Sequence, residues 1–193
     1  VKAAAPQGSR FSAKQLDSVL KTYPRDELFQ ISEADLARIS SGVLRLLLRP
    51  RTHLFIRRDR FDRYVSALLY TPRDSYTSEL RTRAHKMLAE AYGGRTSAYY
   101  PSFGDGPLAR VHLIIGLNPG HPEPDEDSLD LQMRQLFETW EDALGRVARS
   151  TNSDQSLLTR AQFSVAYKEN FQPEEGLADL LAIGGLAPGK AMR

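Results

Sequence analysis

Residues able to do chemistry are few in this chain, and their spacing decides what they could do. The stretch YGGRTSAYYPSFGDG brings Gly93, Gly94, Gly104 and Gly106 close together. A dinucleotide site needs G-x-G-x-x-G between a strand and the helix that follows, so that backbone N–H groups meet a pyrophosphate at the helix start. Here Gly93 and Gly94 follow a predicted helix, and Gly104 and Gly106 join two predicted strands. Turn chemistry accounts for both. No G-x-x-x-x-G-K followed by Ser or Thr and no G-x-S-x-G elbow is present. The histidines are His53, His85, His112 and His121, and none lies three or four residues from another. That spacing offers no helical metal pair, and a structural role is expected for each. His112 is expected on the second face of its strand, and His85, beside Lys86, on a solvated or boundary helix position. Cysteine is absent, which removes thiolate nucleophiles, disulfides and Cys-based zinc sites.

Charged clusters point the same way. Glu174–Glu175 and Asp125–Glu126–Asp127 sit near prolines or at helix starts, where capping and solubility explain them. RPRTHLFIRRDRFDRY carries Arg49, Arg51, Arg57, Arg58, Arg60 and Arg63 with aromatic residues between them, a pattern that invites a nucleic-acid reading. Asp59 and Asp62 interrupt the run, and 26 basic against 24 acidic residues leave a net charge of only +2. A turn held by Arg–Asp pairs is the better reading, and no nucleic acid is expected as a partner.

The elements that must position these residues follow from periodicity. Of 193 residues 41% are hydrophobic and 26% charged, which describes a globular chain rather than a disordered one. No apolar run reaches the roughly 18 residues of a membrane span, so no membrane is expected as a partner, and a cytoplasmic location is expected. The amino end lacks the apolar core of a signal peptide, and an opening on Val1 suggests a piece of something longer. Residues 1–10 are expected to be a disordered tail. The spacing predicts a helix from Ser12 to Tyr23, stopped by Pro24, and a second from Ser32 to Arg49 with Ser32 as N-cap and Asp35 answering it. Together these make a helical connector over 11–50.

Leu54–Arg57 and Tyr64–Thr71 read as strands, the latter apolar on both faces and therefore central. A helix follows, capped by Thr77 or Ser75 and ended by a left-handed Gly93. Two strands joined by GDGP come next, and then one long amphipathic helix from about Leu129 to Arg149 carrying Phe137 and Trp140. A further helix from Ser153 or Asp154 through Tyr167, a short helix and a tail complete a helical extension over 151–193. Strand, helix, strand, strand, helix is most of a ferredoxin-like βαββαβ unit, placed at residues 51–150. The fold class expected is α+β, an antiparallel sheet with helices on one face plus flanking helices. Its last strand has no candidate after Arg149, and the strand at Leu54–Arg57 could take that edge.

YPRDELFQIS, RRDRFDRYVSALLYTPRDSYTSELRTRAHKMLAEAYGG, LARVHLIIGLNPG and FSVAYKENF, in that order, resemble the large bacterial NAD-specific glutamate dehydrogenases over about residues 15–172. The resemblance implies the amino-terminal ACT-like regulatory region of such an enzyme. It also implies a parent that oxidatively deaminates L-glutamate to 2-oxoglutarate and ammonia with NAD as the cofactor. The family's catalytic lysine and Rossmann glycines have no counterpart here, so no catalytic, cofactor or metal residue is carried over. Expected partners are the remaining domains of the parent, an amino-acid effector and like chains in a homo-oligomer. The turn at Gly104, Asp105 and Gly106 is the effector loop to be examined. A purely structural oligomerisation module is the alternative, with an apolar patch at Phe137 and Trp140 as its mark. Leu28, Phe29 and Ile31 are expected to anchor YPRDELFQ to the sheet as a docked connector.

Overall fold

The structure, a computed structural model, describes residues 13–153, 158 and 162–184. The expected tail at 1–10, the Ser12 cap and the final residues lie outside them. The chain divides into two compact units, residues 1–137 and 138–193.

In the first unit α1 (Ala13–Thr22) turns its apolar stripe inward through Val19, and Tyr23 beyond it is buried as well. A single short turn, α2 (Arg25–Leu28), follows Pro24. In α3 (Glu33–Leu48) the Ser32 hydroxyl accepts from the Asp35 N–H and donates to the Asp35 carboxylate, a local box that satisfies an orphan donor at the helix start. The sheet has four strands: β1 (His53–Arg58), β2 (Tyr64–Pro72), β3 (Arg95–Phe103) and β4 (Leu108–Gly116). α4 (Ser78–Ala91) lies between β2 and β3, capped by Thr77, and α5 (Glu126–Leu136) follows β4, capped by Asp125. Gly93 takes the left-handed conformation that closes α4, with φ +53°.

Every neighbouring pair is antiparallel and the order is β1-β2-β4-β3. This is the strand order of a ferredoxin-like sheet, with the last strand replaced by one that precedes the core. β1 pairs with β2 from His53↔Tyr70 to Arg58↔Val65. β2, between β1 and β4, is buried through its length, as its two apolar faces require.

The two faces carry different cores. Val65, Ala67 and Leu69 of β2 and Val111, Leu113 and Ile115 of β4 meet Ala84 and Leu88 of α4 and Leu129 and Met133 of α5. Phe55, Leu68, Tyr70 and Leu108 meet Val19, Ile39, Val43 and Leu46 on the opposite side. The ferredoxin-like helix pair therefore occupies one face and the flanking helices α1 and α3 the other. Gly42 permits that second contact, since a Cβ there would stand 2.5 Å from the Phe55 ring.

The long helix expected from Leu129 to Arg149 is instead two helices, α5 and α6 (Trp140–Ser150). Thr139 makes a reciprocal capping box with Asp142, which starts a new helix, while Phe137 ends α5. Phe137 is 2% exposed in the core of the first unit, so it contributes to no exposed patch.

The second unit holds α6, α7 (Val165–Asn170) and α8 (Pro173–Gly184) around Leu144, Val147, Ala148 and Leu177. Trp140 donates its indole N–H to the Phe171 carbonyl at 2.9 Å and lies against Gly176, where a Cβ would come within 2.6 Å of its ring. α7 opens at Ser164, which accepts from the Tyr167 N–H. The single helix expected from Ser153 or Asp154 through Tyr167 is not continuous: residues 162–164 are not helical and Ser164 caps a new helix, while 154–157 and 159–161 lie outside the described residues.

Candidate functional site

The strongest polar constellation sits where the connector meets the sheet. α2 projects Glu27 onto the face that β1, β2 and β4 turn toward α3. There its carboxylate accepts two hydrogen bonds from Arg57, from Nε at 2.7 Å and from Nη2 at 2.8 Å. Both side chains are nearly withdrawn from water, at 3% and 6% exposed. Alternation on β1 places Arg57 on the same face as Phe55, which is why it points inward. His112 of β4 shares a 2.8 Å hydrogen bond with Ser66 of β2 and lies 3.7 Å from Glu27. Arg57 also donates to the Arg58 carbonyl and sits over the Tyr64 ring, and the Tyr64 hydroxyl meets Gln30 just past α2.

Burial alone would raise the Glu27 pKa. The two hydrogen bonds from Arg57, with the polar groups of His112 and Ser66 nearby, outweigh it and hold the carboxyl at about 2. Bidentate, charge-assisted pairs of this kind fix direction as well as distance. The cluster is a fastening between the helical connector and the sheet, with no group positioned as a nucleophile.

Of the anchors expected for this segment, Ile31 packs inward and Leu28 and Phe29 do not. Phe29 is 89% exposed and Leu28 38% exposed, while Ile31 packs at the border of the α3-side core. One turn of helix cannot bury adjacent residues on one side, and Glu27 and Tyr23 take the inward positions. The Arg–Asp pairs expected in RRDRFD are present as Asp59–Arg63 and Asp62–Arg58. Arg57 leaves that set because its partner lies 30 residues upstream. A charged residue on an otherwise apolar strand face was the one available signal.

His85 is 7% exposed rather than solvated, with Nε2 facing the Ile114 carbonyl at 3.4 Å. His53 bonds Asp130 and His121 bonds Asp62. Among the described residues no group of three or more His, Cys, Asp or Glu could hold a metal ion.

The turn at Gly104, Asp105 and Gly106 is exposed between β3 and β4. Arg73 donates to the Gly104 carbonyl at 2.9 Å and lies 5.9 Å from the centre of the Phe103 ring. A Cβ on Gly104 would meet nothing within 4 Å, so the turn leaves open space above it.

Gly93 and Gly94 do not fit a dinucleotide. They follow the carboxyl end of α4, whose dipole repels phosphate, and Gly94 is pressed against the Gly116 carbonyl, where a Cβ would stand 2.4 Å away.

The two sheet edges differ. On β1 the Leu54 N–H donates to Asp130 of α5 at 2.8 Å, so that edge is covered by a side chain from the packed helix. β3 pairs on one side only, and its edge carries a bulge between Thr96 and Ala98 and a proline at 101. Bulges and prolines both work against addition of a further strand.

Two family models match parts of this chain. Residues 53–141 match the glutamate dehydrogenase ACT2 domain, and residues 2–49 match glutamate dehydrogenase helical motif 1. An NAD-specific glutamate dehydrogenase of Halomonas elongata is 33% identical over 191 residues, covering 96% of this chain and 12% of that protein. Relatives of the same name from Pseudomonas aeruginosa and Mycobacterium tuberculosis are each 28% identical, covering 86% of this chain and 11% of their own length. The chain therefore spans about 12% of the length of the relatives it matches. Among the described residues no helix is long and apolar enough to cross a membrane.

Proposed function

We propose, for a chain that fits a segment of a large NAD-specific glutamate dehydrogenase, a non-catalytic role in regulation and assembly. The parent enzyme, on this reading, deaminates L-glutamate oxidatively to 2-oxoglutarate and ammonia with NAD as hydride acceptor, in the cytoplasm. The segment braces the remaining domains of the parent and contributes to a homo-oligomer. Within the first unit, the helical connector and the sheet act as one body. The observation that carries the reading is the Glu27–Arg57 fastening, which joins the helical motif to the ACT2 sheet through a pair of buried charges. A flexible linker needs no such contact. Fixed orientation between two modules does, because a displacement of one against the other would leave a charge buried without its partner.

An amino-acid effector is proposed at Gly104, Asp105 and Gly106. The open space above Gly104 and the neighbouring Arg73 guanidinium support this choice. The test is an assay of the 193-residue chain for NADH production from glutamate, together with calorimetric titration of glutamate and aspartate. No turnover is expected, and heat is expected with at least one amino acid. Turnover would overturn the division of labour, and no heat would leave the bracing role without the sensing one.

A further inference from the structure

The loop between β4 and α5 meets the turn between β1 and β2 through one histidine. His121 is turned in, with its side chain 5% exposed. Its Nδ1 lies 2.8 Å from the Pro122 carbonyl oxygen, on its own loop. Its Nε2 lies 3.0 Å from the Asp62 carboxylate, on the β1–β2 turn.

Both partners can only accept. A neutral imidazole carries one N–H donor and one lone pair, whichever tautomer it takes. It would therefore set a lone pair against an oxygen at one end or the other. An imidazolium donates at both ends and satisfies both oxygens. Asp62 is itself fixed as an acceptor, because its other carboxylate oxygen lies 3.3 Å from Nε of Arg58.

The backbone brings the same two segments together. Asp62 adopts φ +56°, a left-handed conformation that Asp and Asn accept more readily than most residues. The Leu117 N–H, at the start of the loop, donates to the Arg63 carbonyl at 2.9 Å.

The charges facing the ring come from every element around it. Arg58 of β1 also donates to Glu123 of the loop at 2.9 Å. Arg63 of the turn is taken up by Asp59. Arg95 of β3 faces the loop across a cleft of about 650 Å³. Tyr92 beyond α4 and Glu126 of α5 lie on the side of Arg58. Arg58, Asp62, Glu123 and an imidazolium make two charges of each sign. A neutral ring leaves two carboxylates sharing one guanidinium. The Pro122 carbonyl first, and then the Asp62 carboxylate, hold the His121 pKa above the ordinary 6.5.

We propose that His121 is a protonation-operated clasp on the β4–α5 loop. As an imidazolium it ties the loop to the β1–β2 turn. When the proton leaves, one of its two bonds is lost and the loop loosens. A histidine whose pKa is raised by the fold contributes stability that is full below 6.5 and lost as pH rises through the raised value. The clasp is therefore closed in mild acid and open in alkali.

The test follows the ring nitrogens of His121 by NMR in the 193-residue chain, from mildly acid to alkaline pH. Amide exchange of Asp62, Leu117 and His121 is measured over the same range and corrected for intrinsic rates. Both ring nitrogens should be mostly protonated at pH 6.5. Protection of the three amides should fall severalfold as the ring titrates, while β2 and β4 keep theirs. Asp62→Asn keeps a residue suited to the left-handed turn and supplies an amide that can donate to a neutral ring. In that variant, with folding checked by thermal melting, the His121 pKa should move down toward 6.5. A ring that is neutral at pH 6.5 in the wild type overturns the proposal. So does protection that stays constant as the ring titrates, or a His121 titration that Asp62→Asn leaves in place.

Discussion

The two faces of the sheet solve different problems. Toward α4 and α5 the strands present Val65, Ala67, Leu69, Val111, Leu113 and Ile115, each 1% exposed or less, a close-packed apolar surface. Toward α1, α2 and α3 the surface is mixed. Phe55, Leu68, Tyr70 and Leu108 form an apolar part, and Glu27, Arg57, Ser66 and His112 form a buried polar part. Apolar burial is strong but does not dictate orientation, at about 1.5–3 kcal/mol for each fully buried side chain. A bidentate ion pair adds little net stability over an apolar pair of similar volume, yet it tolerates one geometry. The first face holds the domain together, and the second fixes where the helical motif sits on it.

The largest expected effect breaks the polar face one partner at a time. Arg57→Met leaves Glu27 buried without a counter-charge and should cost about 3–5 kcal/mol, read as the shift in urea midpoint. Glu27→Met combined with Arg57→Met should recover most of that loss, because neither charge then remains. If the double variant is as unstable as the sum of the singles, the pair is not acting as a pair.

On the apolar face, Leu113→Ala should cost about 2–5 kcal/mol with no rescue by any second change of charge, measured in the same way. It should leave the docking of residues 25–31 unaffected relative to the sheet. Loss of that docking before global unfolding would erase the distinction between the faces.

Acid separates the faces further. The Glu27 carboxyl is held at about 2 against an ordinary 4.5. A depressed carboxyl contributes stability that is fully present above pH 4.5 and lost as pH falls through 2. At about 1.4 kcal/mol per pH unit of difference, this is on the order of 3 kcal/mol. Wild type should therefore lose more stability between pH 4.5 and pH 2 than the double Met variant. Equal losses would show that Glu27 is not held in its charged form by the fold.

Alternation along β2 and β4 made the sheet and its two buried faces legible before any coordinates, and Ser32, Thr77 and Gly93 announced helix ends. The fastening was not legible. Glu27 and Arg57 are far apart in sequence, and local pairing with Asp59 or Asp62 offered Arg57 an equally good partner. YPRDELFQ was readable as a docked segment, but its apolar residues drew attention from the glutamate that docks it. The break between α5 and α6 was readable in principle, since Thr139 and Asp142 have the spacing of a capping box. The apolar residues on either side ran on at helical intervals and masked it. Lys86 beside it makes His85 read as a solvated or boundary position, although one residue along a helix turns the side chain by about 100°.

The smallest effect expected is at Tyr23. Its ring is 3% exposed and its hydroxyl has no hydrogen-bond partner among the described residues, and burial raises its pKa well above the usual tyrosine value. Tyr23→Phe should change stability by less than about 1 kcal/mol, and in the stabilising direction, by thermal melting. A large loss would mean that the hydroxyl belongs to the Glu27 cluster.

Amide hydrogen exchange of residues 25–31 in the wild type and in Glu27→Gln tests the fastening most directly. The Leu28 and Ile31 amides, bonded to the Pro24 and Glu27 carbonyls, should be protected in the wild type. In the variant they should exchange freely while β2 and β4 stay protected. Exchange within seconds in the wild type, or unchanged protection in Glu27→Gln, would contradict the account.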